Sequence, residues 1–292
     1  MSMNANMTKA QRREAARLEA QRVAAESAAR DARSKRIIWS ILGALVLGLV
    51  AAVLVVARPW ETVTHDAAPN FDPVPLSEIA NVPANTMQDG GFILTPTGGT
   101  TSVYNPDLPT LGIYFDYHCI WCYQFEMINL QNIRDIAASG EVNVVLHPVS
   151  ILDRATPRTH FSTRALAAAG WIAQYSPEHF LDFHALMFEN QPNEQGGDMS
   201  NAQIAAFAEQ AGVPADVAAG IADGTAAQTY GQWVASLSAA TLNMPNLRNP
   251  ATGGFGTPTI TLNDEVMDNV RLDWSNPAAL PALVAEAVAA HS

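Results

Sequence analysis

The sequence predicts an α/β fold in which a β-α-β unit is interrupted by helices and then resumed by strands, with a single transmembrane helix before it. Strand-like apolar runs at 110–115 and 142–146 enclose residues 119–139, where apolar residues recur at helical spacing. Four helix-start signals lie between residues 156 and 228, and strand-like residues return at 259. Residues 37–57 carry no charge and would span roughly 31 Å as a helix, the thickness of the hydrocarbon layer of a membrane.

Residues 37–57 are predicted to be an uncleaved signal anchor; a cleaved signal peptide is the alternative that the sequence leaves open. Residues 1–36 carry nine Lys/Arg against four Asp/Glu, and Arg58 is the only base after the span until Arg134. The positive-inside rule therefore makes 1–36 a cytoplasmic basic segment and places the rest of the chain outside. We predict a single-pass protein of the cell membrane with an extracytoplasmic domain.

Beyond the span, residues 58–90 contain five of the prolines and predict an extended, Pro-rich stalk. The folded domain is predicted over 91–155 and 246–292, with hairpins near 92–104 and 259–267 and a last helix from about 276. Its strands at 110–115 and 142–146 are expected to be parallel, and residues 156–245 to form a helical insertion. After Arg58 the chain holds 24 acidic residues against six arginines and no lysine, which argues against nucleic acid as a ligand.

The only two cysteines, Cys119 and Cys122, form a Cys-x-x-Cys pair at the predicted strand-to-helix junction. Unpaired N–H groups and the positive end of the helix dipole favour thiolate over thiol at that position. We expect Cys119 to be an exposed nucleophile and Cys122, one turn further in, to be the resolving thiol. A purely structural disulfide is disfavoured because so short a loop removes little chain entropy.

These cysteines lie in Phe115-Asp116-x-x-Cys119-x-x-Cys122-x-x-Phe125, and Gly256-Thr257-Pro258-Thr259, followed by Asn263, lies after the helical insertion. Over roughly residues 91–290 this combination resembles the thioredoxin-like superfamily, and within it the DsbA-like thiol-disulfide oxidoreductases of the bacterial envelope. The resemblance implies a thioredoxin-like fold with a helical insertion domain, and a cis Pro258 facing the active-site disulfide. It also implies a substrate contact from the Thr257 backbone. Trp121, with Ile120 beside it, is expected to lie exposed next to the disulfide as an apolar contact for unfolded substrates; packing of Trp121 on the helical insertion is the alternative.

The sequence departs from that family at positions that tune the thiol. Ile120-Trp121 stands between the cysteines where the family often has Pro-His or Pro-Tyr, so a strongly oxidising potential does not follow. Ile113 occupies the position at which many relatives keep a buried acid that relays protons. Asp116, three residues before Cys119, is the nearest acid on that side and is the candidate to tune the pKa of the thiol. His118 is either a cation that lowers the pKa of the thiol or an exposed loop histidine. Glu126, four residues after Cys122, is interpreted as part of a solvated helix face, with a proton relay as the alternative. The other central histidines are interpreted as structural: His147, His160, His179 and His184.

The resulting prediction is a thiol-disulfide oxidoreductase that forms disulfides in unfolded or partly folded exported proteins. A quinone-linked membrane partner would reoxidise it, and no bound cofactor is needed because the Cys119–Cys122 disulfide carries the two electrons. The alternatives are an envelope reductase or isomerase, a copper- or zinc-handling protein that uses both cysteines and His118, and a non-catalytic peptide-docking module. We expect no metal site and a monomer.

Overall fold

The computed structural model describes residue 22 and residues 69–192 and 197–291. The predicted cytoplasmic segment, apart from Arg22, and the predicted span at 37–57 lie outside these residues. Within the described residues, no helix has the length and the apolar character needed to cross a membrane. The described residues from 69 onwards belong to one compact unit.

Six strands of the described chain form one mixed sheet in the order β2-β1-β4-β3-β5-β6. Its centre is β3 paired in parallel with β4, with Ile113 opposite Leu146. Both strands are almost entirely buried because helices cover the two faces of the sheet, which explains their near-continuous apolar sequences. The parallel pair and the two antiparallel hairpins agree with the expected strands. The strands are β1 Phe92–Leu94, β2 Thr100–Thr101, β3 Thr110–Phe115, β4 Asn143–Pro148, β5 Thr259–Leu262 and β6 Glu265–Val266.

Helix α1, Ile120–Ser139, starts directly after the loop that follows β3. It ends at Gly140, whose φ of 66° is the left-handed conformation that glycine adopts without strain. Its buried face includes Cys122, Phe125 and Ile133, and the C-terminal helix packs against the same side of the molecule. The sheet thus holds the first turn of α1 at the carboxyl edge of β3.

Five α-helices of the described chain lie between β4 and β5. Ser200 forms the predicted capping box with Gln203, but the signal at Thr156-Pro157 does not start a helix directly. Residues 153–155 form a 3₁₀ turn, and the helix begins only at Phe161, whose N–H donates to Thr156 Oγ1 at 3.1 Å. The helices are α2 Phe161–Tyr175, α3 Phe180–Glu189, α4 Asn201–Gln210, α5 Ala215–Ala222, α6 Thr225–Leu242 and α7 Ala279–His291.

Residues 69–85, the described beginning of the predicted stalk, run along α2 and α6 as a strap. The ring of Phe71 fills the space above Gly231, where an added Cβ would lie 2.2 Å from a ring carbon. The N–H of Val74 donates to Ser236 Oγ at 3.0 Å, and Asn85 Nδ2 donates to the Ala173 carbonyl at 2.8 Å. Apart from the short 3₁₀ helix Leu76–Glu78, the segment forms neither helix nor strand. Its apolar side chains nevertheless pack on the helices, which the proline pattern alone did not indicate.

Candidate active site

Cys119 is the N-cap residue of α1, and Cys122 lies in the first turn of that helix. The Cys119 N–H donates to the Asp116 carbonyl at 3.0 Å, and the Cys119 carbonyl accepts the Tyr123 N–H at 3.0 Å. The loop between β3 and α1 therefore closes in a tight turn that presents Cys119 at the helix N-terminus. This is the location that the sequence predicted, and both cysteines are free thiols.

The surroundings of Cys119 lower its pKa from an ordinary value of 9.0 to about 6. The largest cause is the hydrogen bond with the Cys122 thiol. The Thr257 side chain and the backbone N–H groups of Cys122 and Trp121 lower the pKa further, against the opposing effect of burial. The thiolate is therefore the dominant form at neutral pH. Because thiolates are the reacting species in disulfide exchange, Cys119 has the electrostatics of a nucleophile.

Cys122 has the opposite properties. Its pKa is raised well above the ordinary value, first by burial and then by its hydrogen bond with Cys119. Only 1 % of its surface is exposed, so it remains a protected thiol. Cys119 is thus the more acidic of the two thiols, as the predicted roles of nucleophile for Cys119 and resolving thiol for Cys122 require.

The expectation that Cys119 is exposed is wrong for this dithiol state, since only 4 % of its surface is accessible. Its Sγ lies 3.1 Å from the carbonyl oxygen of Thr257, and the loop around Pro258 covers it. The Thr257–Pro258 peptide bond is cis, as the resemblance implied. Sequence patterns near Cys119 could not show this cover, because it comes from residues 138 positions further along the chain.

A groove of about 410 Å³ lies beside the loop around Pro258, which covers the Cys119 sulfur. Trp121 and Trp274 line it together with Phe255, Thr257 and Pro258. Trp121 is 57 % exposed and Ile120 39 %, unusual values for large apolar side chains next to a reactive thiol. Of the predicted substrate contacts, Trp121, Thr257 and Pro258 line this groove, and Ile120 is the neighbour of Trp121 in the chain. The roles of all four residues stay predictions.

His118 and Asp116 are both fully buried, so the alternative of an exposed loop histidine is wrong. The His118 ring packs edge-on against Phe161, with 5.3 Å between ring centroids. The Asp116 carboxyl accepts the N–H groups of His118 and Leu152, each at 2.9 Å, and the Asp116 backbone N–H is hydrogen-bonded to Cys122. The tuning roles of both residues stay predictions. Their positions fix the loop backbone around the cysteines.

Burial raises the pKa of Asp116 from 3.8 to about 7, although its N–H partners oppose the shift. The folded protein then holds a proton that the unfolded chain has lost, so stability falls as the pH rises from about 4 to about 7. We expect the unfolding free energy of the wild type, minus that of Asp116→Asn, to fall by about 4 kcal/mol over this window. Urea unfolding at stepped pH measures it.

The slope with pH is the observable in that comparison, because any hydrogen bond lost by the asparagine gives a constant offset. Asp182, whose side chain is 58 % exposed, supplies the matched control Asp182→Asn, measured at the same pH steps. A difference that is flat between pH 4 and 7 and rises with pH only below about 4 would show instead that the N–H donors hold Asp116 as a carboxylate in the folded state.

Sequence reasoning missed a buried polar chain beneath the cysteines. Glu126 is 1 % exposed, so its interpretation as a solvated helix position is wrong. Its Oε1 lies 3.2 Å from His184 Nε2, and the His184 Nδ1 is 3.1 Å from the Tyr117 hydroxyl. The available signal was the spacing of Glu126 four residues after Cys122, which puts both on one face of α1. Its partner, His184, is 58 residues away in the sequence and had been assigned only a structural role.

Among the described residues, no group of three His, Cys, Asp or Glu side chains lies close enough to hold a metal ion. His147 stacks on Tyr114 with ring centroids 4.2 Å apart, and His160 and His179 lie near Asp153 and Glu178. The described residues therefore give no support to the copper- or zinc-handling alternative.

The sequence profile described as Thioredoxin matches residues 106–276, more than half of the chain. The chain belongs to the thioredoxin family. Of the solved structures, oxidised DsbA of Mycobacterium tuberculosis is similar at 31 % identity and a TM-score of 0.53, covering 68 % of this chain and 92 % of that one. No curated protein sequence matches.

Two further solved structures resemble this chain with TM-scores close to that of DsbA. Reduced DsbG of Mycobacterium tuberculosis, a disulfide bond oxidoreductase, is 32 % identical with a TM-score of 0.51, over 68 % of this chain and 87 % of that one. The MdbA thiol-disulfide oxidoreductase of Actinomyces oris is 25 % identical with a TM-score of 0.54, over 73 % and 96 %. Together with the acidic Cys119 and the protected Cys122, these similarities identify the chain as a protein thiol-disulfide oxidoreductase.

Proposed function

We propose that this thioredoxin-family enzyme forms disulfide bonds in exported, cysteine-containing proteins outside the cytoplasm. The observation that carries the proposal is the low pKa of Cys119, about 6, beside a Cys122 whose pKa is raised. A stabilised Cys119 thiolate favours the reduced form of the pair, and this makes the disulfide form a stronger oxidant. The charge distribution around residues 37–57 supports an extracytoplasmic, membrane-anchored domain.

The proposed cycle begins with the disulfide form of the enzyme. A substrate thiolate attacks Cys119 Sγ, the Cys119–Cys122 bond breaks, and Cys122 leaves with the electron pair and takes up a proton. A second substrate thiolate then attacks the substrate sulfur of the mixed disulfide and displaces Cys119 as a thiolate. The substrate has lost two electrons and two protons, and the enzyme dithiol has gained the electrons. A quinone-linked membrane partner would accept them and restore the disulfide.

The experiment that tests the direction is a reduction potential, measured for the full chain in detergent against glutathione buffers. We expect a value well above that of thioredoxin, which is about −270 mV, and oxidation of a reduced, unfolded multi-cysteine substrate by a stoichiometric amount of the disulfide form. A potential at or below the thioredoxin value would contradict an oxidase.

One observation favours a reductase or isomerase as the second candidate. Ile120-Trp121 supplies no histidine between the cysteines, so that contribution to a stabilised thiolate is missing. An isomerase recovers the activity of a protein with scrambled disulfides without net oxidation, whereas the proposed oxidase consumes one enzyme disulfide for each bond made. Counting free thiols before and after the reaction separates the two.

The location is tested separately from the chemistry. A membrane-impermeant maleimide added to intact cells that produce the protein should modify a cysteine placed at the exposed Val103, in a Cys119→Ser and Cys122→Ser background. Labelling that requires lysis would contradict an extracytoplasmic domain, whatever the redox activity.

A further inference from the structure

The side chain of Gln191 links the end of α3 to the active-site loop. Its Nε2 donates to the carbonyl oxygens of Tyr117 and Cys119, each at 2.9 Å. The neighbouring Asn190 is also an amide, but its Nδ2 donates to the Leu186 carbonyl at 2.9 Å, within its own helix. Of these two adjacent amides, only Gln191 contacts the loop that carries the nucleophile.

The contact with Cys119 acts on the peptide group that starts α1. The Cys119 carbonyl accepts the N–H of Tyr123 at 3.0 Å and the amide of Gln191 at 2.9 Å, so both lone pairs of this oxygen are engaged. In a planar trans peptide the C=O and N–H groups point in opposite directions. Holding the oxygen therefore fixes the plane of the Cys119–Ile120 peptide and the orientation of the first helical turn.

That orientation matters for the sulfur. The N–H groups of Trp121 and Cys122, in the same turn, are hydrogen-bonded to Cys119 Sγ and are part of what stabilises its thiolate. A carbonyl oxygen turned towards the sulfur would place the negative end of a peptide dipole there instead. The Gln191 amide both holds the oxygen of Cys119 and reduces the charge on the two carbonyl groups that it contacts.

The same helix contacts the loop a second time. The Tyr117 hydroxyl lies 3.1 Å from His184 Nδ1 on α3, while the Tyr117 carbonyl accepts the Gln191 amide. Tyr117 is fully buried, so its ring anchors the loop while Gln191 fixes the backbone at its end. The loop around the nucleophile is thus held from the helical part of the chain.

We propose that Gln191 is a positioning residue for thiol-disulfide exchange: its amide holds the Cys119 peptide in the orientation in which the N-terminus of α1 faces the nucleophilic sulfur. The proposal rests on exchange chemistry at Cys119 and is independent of whether the enzyme works as an oxidase. It gives the helices between β4 and β5 a direct effect on the reactivity of a thiol that belongs to α1.

The test compares Gln191→Met, which keeps the length of the side chain and removes the donor, with the control Asn190→Met. The rate at which iodoacetamide alkylates Cys119 in the full-length dithiol protein is measured from pH 4 to pH 9. We expect the midpoint to rise by about one pH unit in Gln191→Met, which makes alkylation about fivefold slower at pH 6, with rates that converge near pH 9. Asn190→Met should follow the wild-type profile.

A merely structural role for Gln191 predicts a different result. Gln191→Met would then melt at a lower temperature, while its alkylation midpoint would stay at the wild-type value. That result overturns the proposal. Gln191→Ala paired with Asn190→Ala repeats the test if the methionine variant does not fold. Gln191→Lys restores N–H donors on a longer chain and should return the midpoint to the wild-type value or below.

These outcomes are separable from a failure of the proposed function. An enzyme that proves to be a reductase still shows the shifted midpoint in Gln191→Met. A protein whose Cys119→Ser variant retains full exchange activity removes the basis of both, whatever the alkylation profile.

Discussion

Replacing Cys122 with serine is expected to abolish oxidative turnover and to leave the protein trapped on its substrates. Without the second sulfur no enzyme disulfide can form, so the two electrons of the substrate have no acceptor. Cys119 keeps its position at the helix N-terminus and attacks substrate disulfides, but nothing within the enzyme resolves the mixed disulfide. Non-reducing gel electrophoresis should show one-to-one covalent adducts with a disulfide-containing substrate, and thiols should release them.

Cys119→Ser is the matched control for that experiment. It also abolishes turnover, but it should form no adducts, because the remaining Cys122 is 1 % exposed and has a raised pKa. The two single variants therefore differ only in which sulfur remains, and the adducts report which one is the nucleophile. Adducts in Cys119→Ser and none in Cys122→Ser would reverse the assigned roles.

The hydrogen bond between the two thiols predicts that Cys122→Ser and Cys122→Ala form adducts at different rates. The largest contribution to the low pKa of Cys119 is its hydrogen bond with the Cys122 thiol, and a serine hydroxyl can donate in the same direction. Cys122→Ala removes this donor. We therefore expect adducts to form faster with serine than with alanine at pH 6, and the ratio of the two rates to fall as the pH rises towards 9.

The central part of the fold could be predicted from the sequence because its signals are local. The buried strands β3 and β4 are continuous apolar runs, and Gly140 marks the end of α1 where an αL residue was needed. The position of Cys119 at a helix N-terminus followed from these elements alone. The resemblance added the cis peptide bond before Pro258, which no local pattern distinguishes from an ordinary trans bond.

The features that the sequence did not predict all depend on contacts between distant residues. Glu126 lies on α1, and its buried carboxyl meets His184, which a different helix brings to it. Cys119 is covered by the Thr257 carbonyl, and Gln191 reaches the loop from the end of α3. Amphipathic spacing specifies which face of an element is buried, but it does not specify which polar group from another element meets it there.

Arg164→Met is the substitution for which we expect the largest loss of stability, about 3–5 kcal/mol in the free energy of unfolding. The Arg164 side chain is 1 % exposed, and its Nη2 lies 2.6 Å from Asp198 Oδ1. It donates in addition to the Thr159 carbonyl at 2.7 Å and to Asn201 Oδ1 at 2.8 Å. Methionine fills a similar volume but leaves the buried carboxylate of Asp198 without its cation, which accounts for most of the cost.

The exposed pair Arg134–Asp182 provides the matched control, since its atoms lie 2.8 Å apart with side chains 32 % and 58 % exposed. Arg134→Met should cost no more than about 1 kcal/mol, because water screens the pair and solvates the remaining charge. The double variant Arg164→Met, Asp198→Leu should recover part of the loss by also removing the buried charge that Arg164 balances. Urea unfolding monitored by tryptophan fluorescence measures all four proteins. Equal losses for the two single arginine variants would show that burial does not determine the cost here, and that Asp198 is solvated or protonated once Arg164 is gone.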